Sequence, residues 1–458
     1  MGPRQWRRST HIAVGVAVVL VVAAVVVAAA LTKGDHSKNV ALPPAPAAAT
    51  ANPAIKPVPD TAQKPTADNL AETLAMTLAD PNLGAFTGRI TDAETGDQLW
   101  ARGANVPMQP ASVTKVLTTS AALLGLDRDA RLTTKVVTSD QRPGVVVLKG
   151  GGDPTLSAAP PGQDTWYKGA ARISDLADQV RRSGVKVTAV QVDITAYSGP
   201  SMAPGWDPLD IDGGDIAPME AVMLDGGRTQ PVSVDSARSR TPALDAGRAL
   251  AVALRVDPAT VTVLPAPFDG DKEIASVQSP PLMERLRQLM NESDNVMAES
   301  TAREVAAAQG KPQSFDGSVA AILGELNSAH IDTGGAHLVD CSGLSVEDRL
   351  TAETLGETVN AAAGDDQPKL RPLVDLLPIA GGSGTLSNRF LDDAGRASAG
   401  WLRAKTGSLT GTNSLVGIVT DSSGRVLTFA LISNNAGPTG RTAIDAFAAT
   451  LRSCGCSS

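Results

Sequence analysis

The spacing of apolar residues changes along the chain and predicts a succession of helices and strands. Leucines recur at helical spacing over residues 68–78, whereas residues 85–103 alternate about a polar turn and predict a β-hairpin. Near the C-terminus, residues 402–435 contain three strand-like runs, and an apolar stripe over 444–451 predicts a closing helix. Terminal helices that flank an antiparallel sheet can form one domain. The predicted fold class is therefore α/β in the broad sense (α+β).

Residues 140–278 have a different pattern and predict an inserted α/β domain. An apolar stripe over 173–180 predicts a helix, alternation over 190–195 predicts a half-buried strand, and residues 243–256 predict a second helix. The insertion carries no group of residues typical of a catalytic site. Four aromatic residues are interpreted as core or interface residues rather than as platforms for a ligand: Trp166, Tyr167, Tyr197 and Trp206.

A serine and a lysine lie three positions apart at the start of another predicted helix. The apolar positions that follow Ser112 have helical spacing, and Gly125 is suited to end the helix. Side chains three apart on a helix lie on the same face, about 5–6 Å apart at Cβ. Ser112 and Lys115 are therefore a candidate nucleophile and base, at the helix end where negative charge is stabilised.

Two further motifs support this pair, which alone is weak evidence. A second Ser-x-x-Lys, Ser183 to Lys186, falls in a predicted turn. The segment from Ser279 predicts an amphipathic helix with Ser279 as its N-cap, and Ser293-Asp294-Asn295 follows it in a predicted turn between helices. Lys405-Thr406-Gly407 lies in a predicted strand. The order of the three motifs and their predicted positions are more specific than any one of them.

The N-terminal region predicts export. Residues 12–31 form an apolar run of the length that spans a bilayer, and three arginines precede it. We predict a cytoplasmic tail at 1–11, a signal-anchor at 12–31 and a Pro/Ala-rich linker at 32–66; cleavage near Ala30 is the alternative. In either case the body of the protein is predicted to be exported.

Composition excludes several other classes. The net charge of −8 gives no indication of nucleic-acid binding. No spacing typical of metal ligands occurs, so no metal site is predicted. The three cysteines, Cys341, Cys454 and Cys456, do not form a disulfide framework, although one bridge from the tail to Cys341 is compatible with the sequence.

The candidate residues suit acyl transfer by a serine with a lysine base. The folded region contains two histidines and no Gly-x-Ser-x-Gly segment, so a Ser-His-Asp hydrolase fits poorly. A lysine can act as base if burial and a neighbouring cation, here Lys405, lower its pKa. Ser293 is suited to pass a proton, and Asn295 to fix Lys115. Three residues of one predicted strand are suited to bind a substrate carboxylate: Lys405, Thr406 and Ser408. The backbone N–H groups of Ser112 and Ser408 are suited to form the oxyanion hole.

Together the motifs resemble those of class C low-molecular-mass penicillin-binding proteins, the D-alanyl-D-alanine carboxypeptidase/endopeptidase family. The resemblance covers about residues 67 to 452 and includes the long interval between Ser112 and Ser293. It implies a peptidase domain at 67–139 and 279–458 around the insertion, with Gly407 in the substrate-binding strand. Further matching segments are Gly150-Gly151-Gly152-Asp153-Pro154, Asp340, Ser342-Gly343-Leu344-Ser345, Gly384-Thr385-Leu386 and Asn388-Arg389-Phe390; Cys341 stands where the family commonly has a small residue.

The resemblance implies hydrolysis of the terminal D-Ala–D-Ala bond of peptidoglycan stem peptides through an acyl-serine intermediate. It also implies acylation of the same serine by β-lactam antibiotics, no cofactor, and in some members an additional endopeptidase activity. Two alternatives stay open at this point: a cell-wall-binding scaffold without turnover, and a β-lactamase-like hydrolase.

Overall fold

The computed structural model describes residues 62–269 and 272–453, which contain two five-stranded sheets. The strands are β1 (Ala85–Asp92), β2 (Gln98–Arg102), β3 (Thr133–Thr138), β4 (Val145–Lys149), β5 (Ala189–Asp193), β6 (Thr262–Val263), β7 (Lys272–Gln278), β8 (Leu402–Leu409), β9 (Thr412–Thr420) and β10 (Val426–Asn434). The helices are α1 (Ala67–Leu78), α2 (Thr114–Gly125), α3 (Ile173–Arg182), α4 (Leu209–Gly213), α5 (Pro242–Leu254), α6 (Leu282–Glu292), α7 (Asn295–Ala308), α8 (Phe315–Ser328), α9 (Ala352–Ala363), α10 (Pro372–Leu376) and α11 (Gly440–Ser453).

The first sheet is antiparallel and is covered by helices on both faces. Its strand order is β2-β1-β10-β9-β8. Alternate residues of β9 pack in opposite directions: Val416 lies in the core with α2 and α9, whereas Leu415 and Val419 lie in the core with α1 and α11. Burial on both faces explains why β9 and β10 are almost continuously apolar. The predicted α+β fold class is confirmed.

The second sheet is mixed and is built from the chain between α2 and α6. Its order is β6-β5-β4-β3-β7; β4, β5 and β6 are parallel, and β3 is antiparallel to β4 and β7. Helices α3 and α5 bury Leu176 and Leu250 against Val190 and Val192. The sheet begins at Thr133, in the segment that the sequence analysis assigned to the peptidase domain. The limits of the insertion, residues 140 and 278, stay a prediction.

One predicted helix start is wrong. Ser279 does not cap α6, which begins at Leu282 after Pro281 without a side-chain cap. The Ser279 hydroxyl instead accepts a hydrogen bond from Leu132 N at 2.9 Å and donates to Pro280 O. Ser279 directly follows β7, and Leu132 lies between α2 and β3. The hydrogen bond between them therefore joins the end of the second sheet to the segment that follows α2.

The predictions for the N-terminal region and for the tail cysteines concern residues outside the described ranges. Between residues 62 and 453, with 270 and 271 left aside, we find no helix with the length and apolar character needed to cross a bilayer. Cys341 is buried.

Candidate active site

Ser112 and Lys115 meet at the start of α2. Ser112 lies in a short 3₁₀ turn, Ala111–Val113, that leads directly into the helix. Ala111 has a positive φ of 53°, an uncommon conformation for alanine that is typical of functional sites. Lys115 is fully buried, and its Nζ donates to Ser112 Oγ at 2.8 Å, to Asn295 Oδ1 at 2.5 Å and to Ser342 O at 2.7 Å.

Burial lowers the pKa of Lys115 to about 8, against the opposing effect of four nearby carboxylates, Asp340, Asp294, Glu299 and Asp215. A lysine with this pKa is neutral in about a tenth of molecules at pH 7, compared with well under a thousandth for an exposed lysine. Burial also holds the pKa of Lys405 well below its usual value, and the positive charges of Lys115 and Arg389 add to this effect. The sequence analysis expected a neighbouring cation to lower the pKa of Lys115; burial is the lowering cause found there, and the closeness of the two lysines acts on Lys405.

The turn between α6 and α7 carries Ser293 and Asn295 towards the two lysines. Ser293 has a φ of 58°, and its Oγ accepts from Lys405 Nζ at 2.8 Å. Asp294 caps α7 by accepting from Met297 N at 2.9 Å. The Asn295 side chain accepts from Lys115 and donates to the backbone oxygen of Asp215 at 3.0 Å.

Strand β8 forms one wall of the site. Thr406 and Ser408 line the cleft, and the Thr406 hydroxyl donates to Thr385 Oγ1 at 2.8 Å. Gly407 lies between them where the strand passes the 3₁₀ turn; a Cβ there would lie 3.0 Å from Ser112 N and 2.9 Å from Pro110 O. Glycine is thus required for the close approach of β8 to the serine.

A loop after α8 completes the surroundings of Lys115. Asp340 is buried and accepts from the backbone N–H groups of Ser342, Gly343 and Ser345 at 3.0, 2.6 and 2.7 Å. The resulting turn directs the Ser342 carbonyl at Lys115. The sequence analysis named these residues only as part of a family resemblance, although an aspartate before Ser-Gly is a recognisable turn signal.

The residues around Ser112 open into a cleft of about 660 Å³. Charged side chains that the sequence analysis did not connect line this cleft. The acidic ones are Asp207, Asp210, Asp215 and Glu292, and the basic ones are Arg389 and Arg441.

Two further observations concern residues outside the cleft and possible metal ligands. Ser183 and Lys186 are exposed beyond the end of α3 and do not line the cleft. Among the residues that the structure describes, no group of three or more His, Cys, Asp or Glu side chains is arranged to hold a metal ion.

Comparison with known proteins identifies the family. The model of the D-Ala-D-Ala carboxypeptidase 3 (S13) family matches residues 70–238 and 231–451, and a second model, Carboxypeptidase Rv3627c-like, N-terminal domain, matches residues 1–57. The chain is 72% identical over 458 residues to carboxypeptidase DacB of Mycolicibacterium smegmatis and 63% identical over 460 residues to carboxypeptidase Rv3627c of Mycobacterium tuberculosis; each alignment covers 100% of both chains.

The fold is shared with penicillin binding protein 4 from Haemophilus influenzae. The TM-score is 0.67 at 22% identity, over 84% of this chain and 98% of that one. The predicted resemblance and the predicted enzyme class are confirmed by these matches, and the chain belongs to the D-Ala-D-Ala carboxypeptidase 3 (S13) family.

Proposed function

We propose that this protein is a serine-type D-Ala-D-Ala carboxypeptidase that acts on peptidoglycan stem peptides through an acyl intermediate on Ser112. The observation that carries the proposal is the pair at the start of α2. Lys115 Nζ lies 2.8 Å from Ser112 Oγ and has a pKa of about 8, so a base is in contact with the nucleophile at neutral pH.

The first half-reaction forms the ester. Neutral Lys115 takes the hydroxyl proton of Ser112 while Oγ attacks the carbonyl carbon of the penultimate D-alanine. The N–H groups of Ser112 and Ser408 face the developing oxyanion in this proposal. The C–N bond then breaks, and the proton taken by Lys115 passes through Ser293, whose hydroxyl is bonded to Lys405, to the departing D-alanine amine, which leaves Lys115 neutral.

The strand that bears Lys405 is the proposed site for the substrate's terminal carboxylate. Thr406 and Ser408 present hydroxyl groups to the cleft, and Gly407 lets the peptide lie close to the serine. The buried Lys405 lies behind them, and its Nζ donates to Ser293 Oγ and to Thr406 O. Asn295 holds Lys115 in place and is near enough to the cleft to contact the substrate amide. In the second half-reaction neutral Lys115 takes a proton from water as the water oxygen attacks the ester carbonyl; the acyl bond to Ser112 Oγ then breaks, and Lys115 returns the proton to that oxygen.

The decisive experiment is covalent labelling with a fluorescent penicillin, because a β-lactam acylates the same serine that a D-Ala-D-Ala peptide does. We expect a label on the wild-type protein and none on Ser112→Ala. Absence of label on the wild type, or its persistence in Ser112→Ala, would refute the proposal. Release of free D-alanine from a stem pentapeptide excludes a scaffold without turnover, and a lasting acyl-enzyme excludes a β-lactamase.

We also propose that the enzyme works outside the cytoplasm, held to the membrane by residues 12–31 or released by cleavage near Ala30. The apolar run and its arginine flank support export. Fractionation of cells that express the full chain, with mass measurement of the mature protein, separates the two forms. The mass of the full chain in the membrane fraction would support the anchor. The mass of a chain that begins after Ala30, found in the soluble fraction, would support cleavage.

A further inference from the structure

We propose that Tyr167 is a positioning residue for the reaction, because its hydroxyl holds the turn that carries Ser293 and Asn295. The inference rests on the proposed function and adds to the site a residue of the inserted segment. Tyr167 lies far from the three motifs in sequence, and its aromatic ring predicted only a core or interface position.

The contact is direct and buried. Tyr167 is 1% exposed, and its OH donates to Asp294 Oδ2 at 2.7 Å. The other carboxylate oxygen of Asp294 caps α7 by accepting from Met297 N. Both oxygens of the central residue are therefore fixed, one by its own helix and one by the insertion.

Asp294 stands between the two residues that contact the lysines. Ser293 is in the left-handed region, which costs a non-glycine residue conformational energy unless its surroundings hold it there. If Asp294 turned away from its present position, the Ser293 hydroxyl and the Asn295 amide would both move relative to Lys405 and Lys115. Tyr167 thus acts on the reacting groups through Asp294 and contacts neither lysine.

Neighbouring residues restrict the position of the Tyr167 phenol and favour its hydrogen bond to Asp294. The backbone oxygen of Tyr167 accepts from Thr165 Oγ1 at 2.7 Å, which fixes the start of the side chain. Gly226 has a positive φ of 63° and packs so closely on the phenol oxygen that a Cβ would collide with it. Burial and the neighbouring Asp294 carboxylate raise the pKa of Tyr167 well above its usual value, so the phenol keeps the proton that it donates.

The bond also connects the phenol to the charge state of the base. The Tyr167 hydroxyl directs its positive hydrogen at Asp294, which is one of the carboxylates that raise the pKa of Lys115. Loss of the hydroxyl leaves that carboxylate with more effective negative charge. The pKa of Lys115 then rises, and a higher pH is needed to generate neutral lysine. Other charged groups also surround these two side chains. Those near Lys115 are Asp340, Glu299, Asp215 and Lys405, and those near Tyr167 are Arg228, Arg238 and Asp294.

The test is the rate of penicillin acylation by Tyr167→Phe as a function of pH. We expect the rate to fall by about tenfold, as for loss of a hydrogen bond to a charged group. We also expect the acidic limb of the profile to move to higher pH, while the protein remains folded by circular dichroism. The other tyrosine of the chain provides a matched control: Tyr197 OH bonds to Gly152 O and Ser300 Oγ, neither of which touches a lysine. Tyr197→Phe should acylate like the wild type.

Asp294→Asn examines the same bond from its other partner. It removes the charge, so its acidic limb should move to lower pH, and Tyr167→Phe should add no further pH shift in that background. Wild-type rate and pH profile in Tyr167→Phe, or lower stability with normal acylation, would overturn the inference. If Tyr167→Phe does not fold, an unshifted limb in Asp294→Asn overturns it. Failure of the wild type to acylate would instead refute the proposed function.

Discussion

Lys115 is the proposed base, and its lowered pKa comes from burial rather than from its neighbours in sequence. Ser-x-x-Lys is a common pattern, and the second copy in this chain is an exposed turn. What distinguishes Lys115 is enclosure by α7 and by the Asp340 loop, both distant in sequence. The sequence analysis chose Lys115 over Lys186 because of the two other motifs, and the structure brings Lys115 together with Ser112 and Asn295. The sequence analysis had no means of finding the third acceptor, Ser342 O, because a backbone carbonyl has no sequence signature.

The pH dependence of acylation follows from this lysine. Its reactive form is neutral, so the rate should rise about tenfold per pH unit below 8 and level off above it. Stopped-flow measurement with a chromogenic β-lactam between pH 6 and 9.5 provides the profile. In Lys115→Arg the guanidinium stays protonated throughout this pH range and cannot act as a base, so this variant should not be acylated. A rate independent of pH over the range would contradict the role of Lys115 as base.

Gly407 is expected to be intolerant of even one added methyl group. A Cβ would collide with Ser414 Oγ and come within 3.0 Å of Ser112 N, so Gly407→Ala should lower the acylation rate by at least about tenfold. The matched control is Gly324→Ala in α8, where the nearest atom to a new Cβ is Gln309 Oε1 at 3.9 Å. Removal of a helical glycine should leave acylation unchanged and stabilise the protein by up to about 1 kcal/mol. Equal acylation rates in the two variants would contradict the close approach of β8.

Most elements follow from local patterns, and the exceptions have a physical cause. The hairpin of β1 and β2, the strands β8 to β10 and the helix α11 were all predicted, because periodicity and turn residues agree there. Ser279 was assigned to the wrong role, because a serine before two prolines has the local chemistry of a cap. Its hydroxyl is instead used by Leu132 N, a partner that belongs to the chain before the insertion.

Helices α6 and α7 carry the Ser293 turn, and a buried ion pair joins them. Arg285 is fully buried and contacts Glu304 through two hydrogen bonds of 2.6 and 3.1 Å. Arg285→Met should lower the free energy of unfolding by about 3–5 kcal/mol, because Glu304 is left without its partner. Urea-induced unfolding measures the change. Arg287→Met, on the exposed side of α6, removes a weak surface pair with Glu284 and should change stability by no more than about 0.5 kcal/mol. Similar losses in both variants would contradict a special role for the buried pair.

At the scale of the whole molecule, the predicted insertion contacts the segments that hold the proposed catalytic residues. Pattern analysis described its helices and strands but found no chemistry in it. Its contribution is made by single long-range contacts: Tyr167 to Asp294, the Asp215 carbonyl to Asn295, and Trp206 to Asp340. Such contacts are invisible to periodicity, because each joins residues that are distant in sequence.

The contact of Trp206 with Asp340 leads to a test of this support that is independent of Tyr167. Trp206 Nε1 donates to Asp340 Oδ2 at 2.7 Å, and its ring packs edge-on against Phe315 at 5.1 Å. Trp206→Phe keeps an aromatic ring and removes the donor, so the turn that directs the Ser342 carbonyl at Lys115 loses one of its restraints. We expect a loss of about 1.5–3 kcal/mol in the free energy of unfolding and slower penicillin acylation.

Trp401→Phe is the matched control, because that ring is 51% exposed and lies away from the cleft. It should leave both the unfolding free energy and the acylation rate close to wild type. Loss of stability in Trp206→Phe with an unchanged acylation rate would mean that the insertion only packs against the peptidase core. Loss of both would mean that the inserted segment, although it contributes neither nucleophile nor base, is needed to hold Lys115 in the geometry that makes it reactive.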